Sequence, residues 1–296
     1  MKPARWAPVL LWVVPGLWSS NYLIARASHG VIAPHALAMG RWTLALALML
    51  PFVGAALWQQ REAVRREWRH LLVLGALGMW VCGAFVYQAG HTTSATNIAL
   101  LYAVAPVAIT AVSLRLLGER MAAAQRVGVA LALSGVVFII AKGDIDNLLA
   151  VRLAVGDAWA LVAAACWVAY SVLLKHWPST LGPAVRLAAI IMGGLLVLAP
   201  FTLAEALWVE ATVWSLPALG LVVAGAVLPG VLSYTAYSYL QRELGASRTA
   251  LLLYLSPVYG ALGAWGVLGE PPGWYHAAGA ALILPSIWLA TRPAGR

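Results

Sequence analysis

The segment Ala99 to Arg120, ALLYAVAPVAITAVSLRLLGER, occurs twice in this chain. Ala250 to Pro271, ALLLYLSPVYGALGAWGVLGEP, repeats it at an offset of 151, with Ala99 on Ala250, Pro106 on Pro257 and Leu117-Gly118-Glu119 on Leu268-Gly269-Glu270. Trp18, Arg26, Pro34 and Pro51-Phe52 recur in the same way as Trp167, Lys175, Pro183 and Pro200-Phe201, at an offset of 149. A chain made of two copies of one unit must fold as two copies of one set of elements, so the repeat restricts topology before any local propensity does. It also bears on the N-terminus. Lys2 and Arg5 ahead of an apolar run ending in Ala25-Arg26-Ala27 have the form of a cleavable secretion signal. That run has a partner in the second half, so it is read as a retained helix.

The apolar runs are too rich for a soluble core. Hydrophobic residues make up 62% of the 296 positions and charged residues 10%, against about 45–50% and about 25% in soluble domains. Spanning a bilayer takes about 20 apolar residues per helix. Breaks in the pattern predict spans near 7–27, 35–58, 70–90, 94–116 and 123–141, then 156–175, 183–204, 215–240, 248–268 and 273–291. The expected fold is therefore an all-α membrane protein of ten transmembrane helices, arranged as residues 1–147 and 148–296 with five helices each. The longest polar breaks, Gln59 to Arg69 and Lys142 to Arg152, are read as loops. An odd number of helices per copy inverts the second copy in the membrane, a common construction in secondary transporters. The net charge of +9 lies in short breaks between spans and not on one basic face, which argues against nucleic acid. With both termini in the cytoplasm, only Arg26, Lys142 and Arg152 of the loop cations fall outside.

Polar and aromatic residues inside spans mark candidate function, because lipid supplies no hydrogen-bond partners. Trp80, Ala84, Tyr87 and His91 share one helical face, and Gly230, Tyr234, Tyr237 and Gln241 repeat that spacing at an offset of 150. Two readings stay open for these stripes: walls of a central cavity, or aromatic belts at the membrane interface. Trp18, Ser19, Asn21 and Tyr22 in the first span answer Trp167, Tyr170 and Ser171 in the sixth, either as cavity lining or as hydrogen-bonding glue between helices. Pro106 and Pro257, each about one turn from Tyr102 and Tyr254, are candidate hinges or static bends. Arg41 is the only basic residue well inside a run, and it is expected to snorkel outward, the alternative being attraction of a carboxylate. Glu119, Asp157, Glu205 and Glu270 all fall near helix ends, and Cys82 and Cys166 are read as free thiols in apolar surroundings. No metalloprotease, nucleophile-elbow or phosphate-loop motif is present. No enzyme activity, metal or cofactor is expected.

The paired proline-centred helices ending in Leu-Leu-Gly-Glu-Arg and Val-Leu-Gly-Glu-Pro make the whole chain resemble the drug/metabolite transporter superfamily in its EamA-type branch, and within it the YddG-type amino-acid exporters. The resemblance implies a bacterial inner-membrane exporter of neutral or aromatic amino acids, with cationic aromatic drugs as a further class of substrate. Its cavity would lie between the halves, on helices one, three, four, six, eight and nine. The candidate substrate-binding residues are thus Trp18, Asn21, Tyr22, Trp80, Tyr87, His91, Tyr102, Trp167, Tyr170, Tyr234, Tyr237 and Tyr254. Trp18, Tyr22, Trp80, Tyr102, Trp167, Tyr234 and Tyr254 are expected to define the pocket itself. The partners are then a small-molecule substrate and the lipid bilayer. A multidrug cation exporter is the nearest rival, and a lipid-modifying membrane enzyme the more distant one.

Overall fold

The computed structural model describes residues 6–93, 98, 101–102, 105–116, 118, 123–144, 146, 154–268 and 273–291. Glu119 and Glu270, with the second Gly-Glu stop, lie outside the described residues. All regular structure among the described residues is helical. In chain order it comprises α1 (Ala7–Ala27), α2 (Pro34–Gln59), α3 (Arg61–Gly75), α4 (Cys82–Thr92), α5 (Ala105–Leu116) and α6 (Ala123–Ile140). The remainder are α7 (Val155–His176), α8 (Pro183–Trp208), α9 (Leu216–Ala226), α10 (Ser233–Leu244), α11 (Ala246–Ala250), α12 (Ser256–Leu268) and α13 (Trp274–Thr291). A π-helical turn, Ala76–Val81, joins α3 to α4, and a second, Val227–Leu232, joins α9 to α10. A 3₁₀ turn, Leu251–Leu255, links α11 to α12. Six of the resulting rods are long and apolar enough to cross a membrane: α1, α2, α3 through α4, α7, α8, and α9 through α10.

One sequence expectation needs correction. Gln59 to Arg69 is not a loop: only Gln60 breaks the helix, and α3 starts at Arg61. Its first turns, REAVRREWRH, are rich in strong helix formers, so the polar stretch extends the rod out of the apolar layer. Glu67 of this extension accepts hydrogen bonds from Ser179 Oγ at 2.5 Å and from the Thr180 amide at 3.0 Å, holding α3 to the turn before α8.

Helix starts follow simple chemistry. Pro34 and Pro183 open α2 and α8, where a missing N–H costs nothing. Ala33 has no side chain that could cap α2, and Glu205 of α8 does so instead. Its carboxylate accepts from the His35 amide at 2.9 Å, the Ala36 amide at 3.1 Å and His35 Nδ1 at 2.8 Å. An anion at the positive end of a helix is favourable. At the other end of the bundle, Gly245 takes φ +86°, which lets α10 stop and α11 begin without a loop.

Packing builds one large core and a smaller satellite. In the large core α2 lies on α8 and α9, α4 on α7, and α1 against α4, α10 and α12. Gly75 and Gly194 bring α3 and α8 together backbone to backbone, leaving no room for a Cβ. α6 and α13 pair with each other and with the 3₁₀ turn around Val136, Ile139, Tyr254 and Ile283. Outer faces carry exposed Phe52, Leu196, Leu203 and Leu219, and Trp58 and Trp208 stand exposed at the ends of α2 and α8, as lipid-facing and interfacial residues do.

Candidate functional site

Where α1, α2, α4, α7 and α10 converge, the side chains line a small, partly open cavity of about 50 Å³. Both halves of the repeat supply its walls. Trp18, Asn21, Tyr22, Arg41, Cys82, Val86 and Tyr102 come from the first half, and Trp167, Pro229, Tyr234, Leu253 and Ser256 from the second.

The apolar side of the cavity is an aromatic cluster. Trp18 meets Trp167 edge to face, with centroids 5.0 Å apart, and Tyr234 approaches Trp18 at 6.1 Å and Trp167 at 5.8 Å. Tyr22 and Tyr102 form a second edge-to-face pair at 6.2 Å. These geometries suit the ring quadrupoles and hold the walls in place. Behind this layer, Tyr170 stacks on Trp167 at 5.4 Å and Tyr237 abuts Trp18 at 4.9 Å. The Tyr237 hydroxyl donates to Ser171 Oγ at 3.1 Å, and Gln241 Nε2 donates to the Ser171 carbonyl at 3.0 Å. Gln241 also borders a cleft lined by Lys175, Arg186 and Arg242 at the end of the bundle where α7 stops and α8 starts.

The polar side centres on Arg41. Its Nη1 donates to Asn21 Oδ1 at 2.9 Å and to the Tyr87 hydroxyl, which itself donates to Asn21 Oδ1 at 2.9 Å. The guanidinium lies over the Trp42 ring at 4.4 Å. Arg41 therefore does not snorkel: it is 2% exposed. Three neighbouring polar and aromatic side chains hold the head group inside the bundle, and that outweighs a route to the interface for this stem.

Backbone irregularities decide which predicted residues reach the cavity. A π turn adds a residue and rotates the preceding face by roughly 100° relative to a continuous α-helix. The stripe from Trp80 to His91 is broken in this way. Trp80 sits in the turn and stacks on Phe201 of α8 at 3.9 Å, outside the cavity, while Cys82 and Val86 line it. The carbonyls of the turn find side-chain donors: Gly78 accepts from the Tyr234 hydroxyl at 2.9 Å and Met79 from Trp42 Nε1 at 3.0 Å. In the 3₁₀ turn, three residues per turn place Leu253 at the cavity and send Tyr254 into the satellite core instead.

Of the twelve candidate residues, Trp18, Asn21, Tyr22, Tyr102, Trp167 and Tyr234 thus line the cavity together. Tyr87, Tyr170 and Tyr237 support it from behind. Trp80 and Tyr254 point elsewhere, and His91 pairs with His29, ring centroids 4.9 Å apart, away from the lining. Pro106 lies in α5, one residue after the point from which that helix is described, and position 257 is the second of α12, directly after the 3₁₀ turn. Arg41 as a lining residue is the main omission of the sequence reading, and its signal was present as the one cation inside a span. Among the described residues no three His, Cys, Asp or Glu side chains converge as a metal site would require.

Comparison with known proteins places these features in context. The sequence profile of the EamA-like transporter family matches residues 6–141 and again 154–292. An uncharacterized transporter of Archaeoglobus fulgidus is 26% identical over 96% of each chain. The uncharacterized transporter YyaM of Bacillus subtilis is 24% identical over 92% of this chain and 89% of its own. A probable terminal-alkyne amino-acid exporter of Streptantibioticus cattleyicolor is 26% identical over 99% of this chain and 94% of its own. One solved structure superposes with a TM-score of 0.76 over 96% of each chain at 22% identity, a likeness of fold.

Proposed function

The chain belongs to the EamA-like transporter family, and we propose that it exports small amphipathic metabolites, foremost neutral or aromatic amino acids, by alternating access at the central aromatic cavity. The observation that carries this reading is the cavity itself, lined by side chains of both repeat halves, with rings on one side and polar groups on the other. Rings pack against the apolar part of such a substrate, while Asn21 and Arg41 meet its polar end. The exporter name of the Streptantibioticus relative points the same way.

Alternating access follows if residues 1–147 and 148–296 form two inverted five-helix copies, because exchanging their conformations opens the cavity to each side in turn. The two π turns, at matching places in the halves, support this pairing. Pro106 and position 257 would then act as hinges next to the cavity, the latter where 3₁₀ gives way to α. A bacterial inner membrane with both termini cytoplasmic completes the reading.

Flux of labelled amino acids into liposomes holding the purified protein tests it. Transport above empty liposomes, saturable and competed by unlabelled aromatic amino acids, is the expected result. No flux across a broad amino-acid panel would sink the reading.

A further inference from the structure

We infer that the Arg41 guanidinium is the docking point for a substrate carboxylate, so that the transported class comprises acids and zwitterions with an apolar tail and excludes amines that lack an acid. The inference rests on the cavity being the transport site and assigns the group the substrate must carry.

Arg41 is 2% exposed and borders the cavity. An arginine stays charged in such a place, and a buried charge is costly unless it is paired. Its protein partners are neutral: Nη1 donates to Asn21 and Tyr87, while Nε is buried without an acceptor among the described residues. The contacts between carboxylates and basic side chains among those residues lie elsewhere, between His35 and Glu205, Arg65 and Glu62, and Arg242 and Glu243. Neither Asn21 nor Tyr87 offers a negative charge. The Tyr87 proton is committed to Asn21 Oδ1 at 2.9 Å, so this trio is oriented and still lacks an anion.

A guanidinium matches a carboxylate in charge and in fork geometry. An incoming acid would supply that missing anion, with its tail among Trp18, Trp167 and Tyr234, and an ammonium on the same substrate can rest on a ring face. None of the lining side chains is acidic. A cation without a carboxylate would therefore enter a cavity whose one formal charge repels it.

The test uses the wild-type protein in liposomes, with uptake of labelled phenylalanine competed by 3-phenylpropionate, phenylalanine amide and phenethylamine. The acid is expected to compete at least about tenfold better than the amide or the amine, the scale of one charge-assisted contact. In Arg41→Gln that ratio should collapse toward one. An amide or amine that competes as well as the acid overturns the inference, and so does an unchanged ratio in the variant. If Arg41→Gln fails to fold, the wild-type ratio decides, and Arg41→Lys, which keeps the charge and loses the fork, should retain part of it. If phenylalanine does not enter at all, the export reading fails by itself. The docking point is then read from quenching of tryptophan fluorescence by 3-phenylpropionate. Saturable quenching weakened at least about tenfold in Arg41→Gln upholds it, and no saturable signal, or the same signal in both proteins, overturns it.

Discussion

The Tyr234 hydroxyl donates to the Gly78 carbonyl at 2.9 Å, so one residue both walls the cavity and satisfies the backbone of the π turn between α3 and α4. The irregular turn and the aromatic wall are parts of one device. The turn sets Cys82 and Val86 toward the cavity, and the tyrosine from the other half of the chain holds the turn in shape.

Tyr234→Phe separates these roles, because the ring stays while the hydroxyl goes. A buried carbonyl left without its donor costs about 1–3 kcal/mol. The expected outcome is a lower thermal midpoint in detergent, with substrate affinity changed less than about threefold, a shift below 1 kcal/mol. A midpoint equal to wild type would show that the Gly78 carbonyl does not depend on this bond.

Gly75 gives a sharper test of the packing. A Cβ there would overlap the backbone of Gly194 on α8, and backbone does not move aside as a side chain does. Gly75→Ala should cost at least the roughly 1–3 kcal/mol typical of overpacking and lower the yield of monodisperse protein. Gly54→Ala on α2 is the control. Nothing lies within 4 Å of a Cβ at that position, and alanine gains up to about 1 kcal/mol of helix propensity. Equal behaviour of the two variants in a melting experiment would contradict the close α3–α8 crossing.

Much of this architecture is legible in the sequence because lipid enforces helices: a long apolar run has few other options. The runs at 7–27 and 183–204 correspond directly to α1 and α8. Periodicity fails where the backbone leaves the α-helix. Trp80 belongs to a stripe drawn with a 3.6-residue period and Tyr254 is singled out by its proline neighbour, and they sit in a π turn and a 3₁₀ turn that no periodic template anticipates. The misreading of Arg41 has another origin. Burial of a cation depends on what neighbouring helices present, here Asn21 from α1 and Tyr87 from α4, and a single helix carries no record of that. Glu205 illustrates the same limit, since it sits near the end of its own helix yet caps a different one.

Glu205→Ala should therefore destabilise α2 more than α8. Two amides and the His35 imidazole lose their acceptor, and loss of an N-terminal cap costs about 0.5–2 kcal/mol. Hydrogen exchange read by mass spectrometry should show faster exchange at the start of α2, with the body of α8 unchanged. The exposed pair Arg65–Glu62, 3.4 Å apart, provides the comparison. Surface pairs contribute little, so Glu62→Ala should leave exchange as it is. Equal effects of the two substitutions would remove Glu205 from its capping role.

Trp18→Ala and Trp80→Ala together test whether the cavity, and not aromatic content at large, carries function. Both residues are partly buried tryptophans in membrane-spanning rods, and both are among the residues expected from the sequence to define the pocket. Their surroundings differ. Trp18 faces the cavity and touches Trp167, Tyr234 and Tyr237, whereas Trp80 packs on Phe201 and Phe85. Removing a ring that contacts substrate costs about 2 kcal/mol or more of binding, so Trp18→Ala should raise the KM for uptake at least about tenfold. Trp80→Ala removes a ring that packs on protein outside the cavity. It should lower the thermal midpoint and leave KM within about twofold, since only packing energy is lost. The split of KM against melting temperature distinguishes the two sites even if both variants transport slowly. The reverse pattern, with KM moved by Trp80→Ala alone, would place the substrate path along α8 and outside the cavity that Arg41 borders.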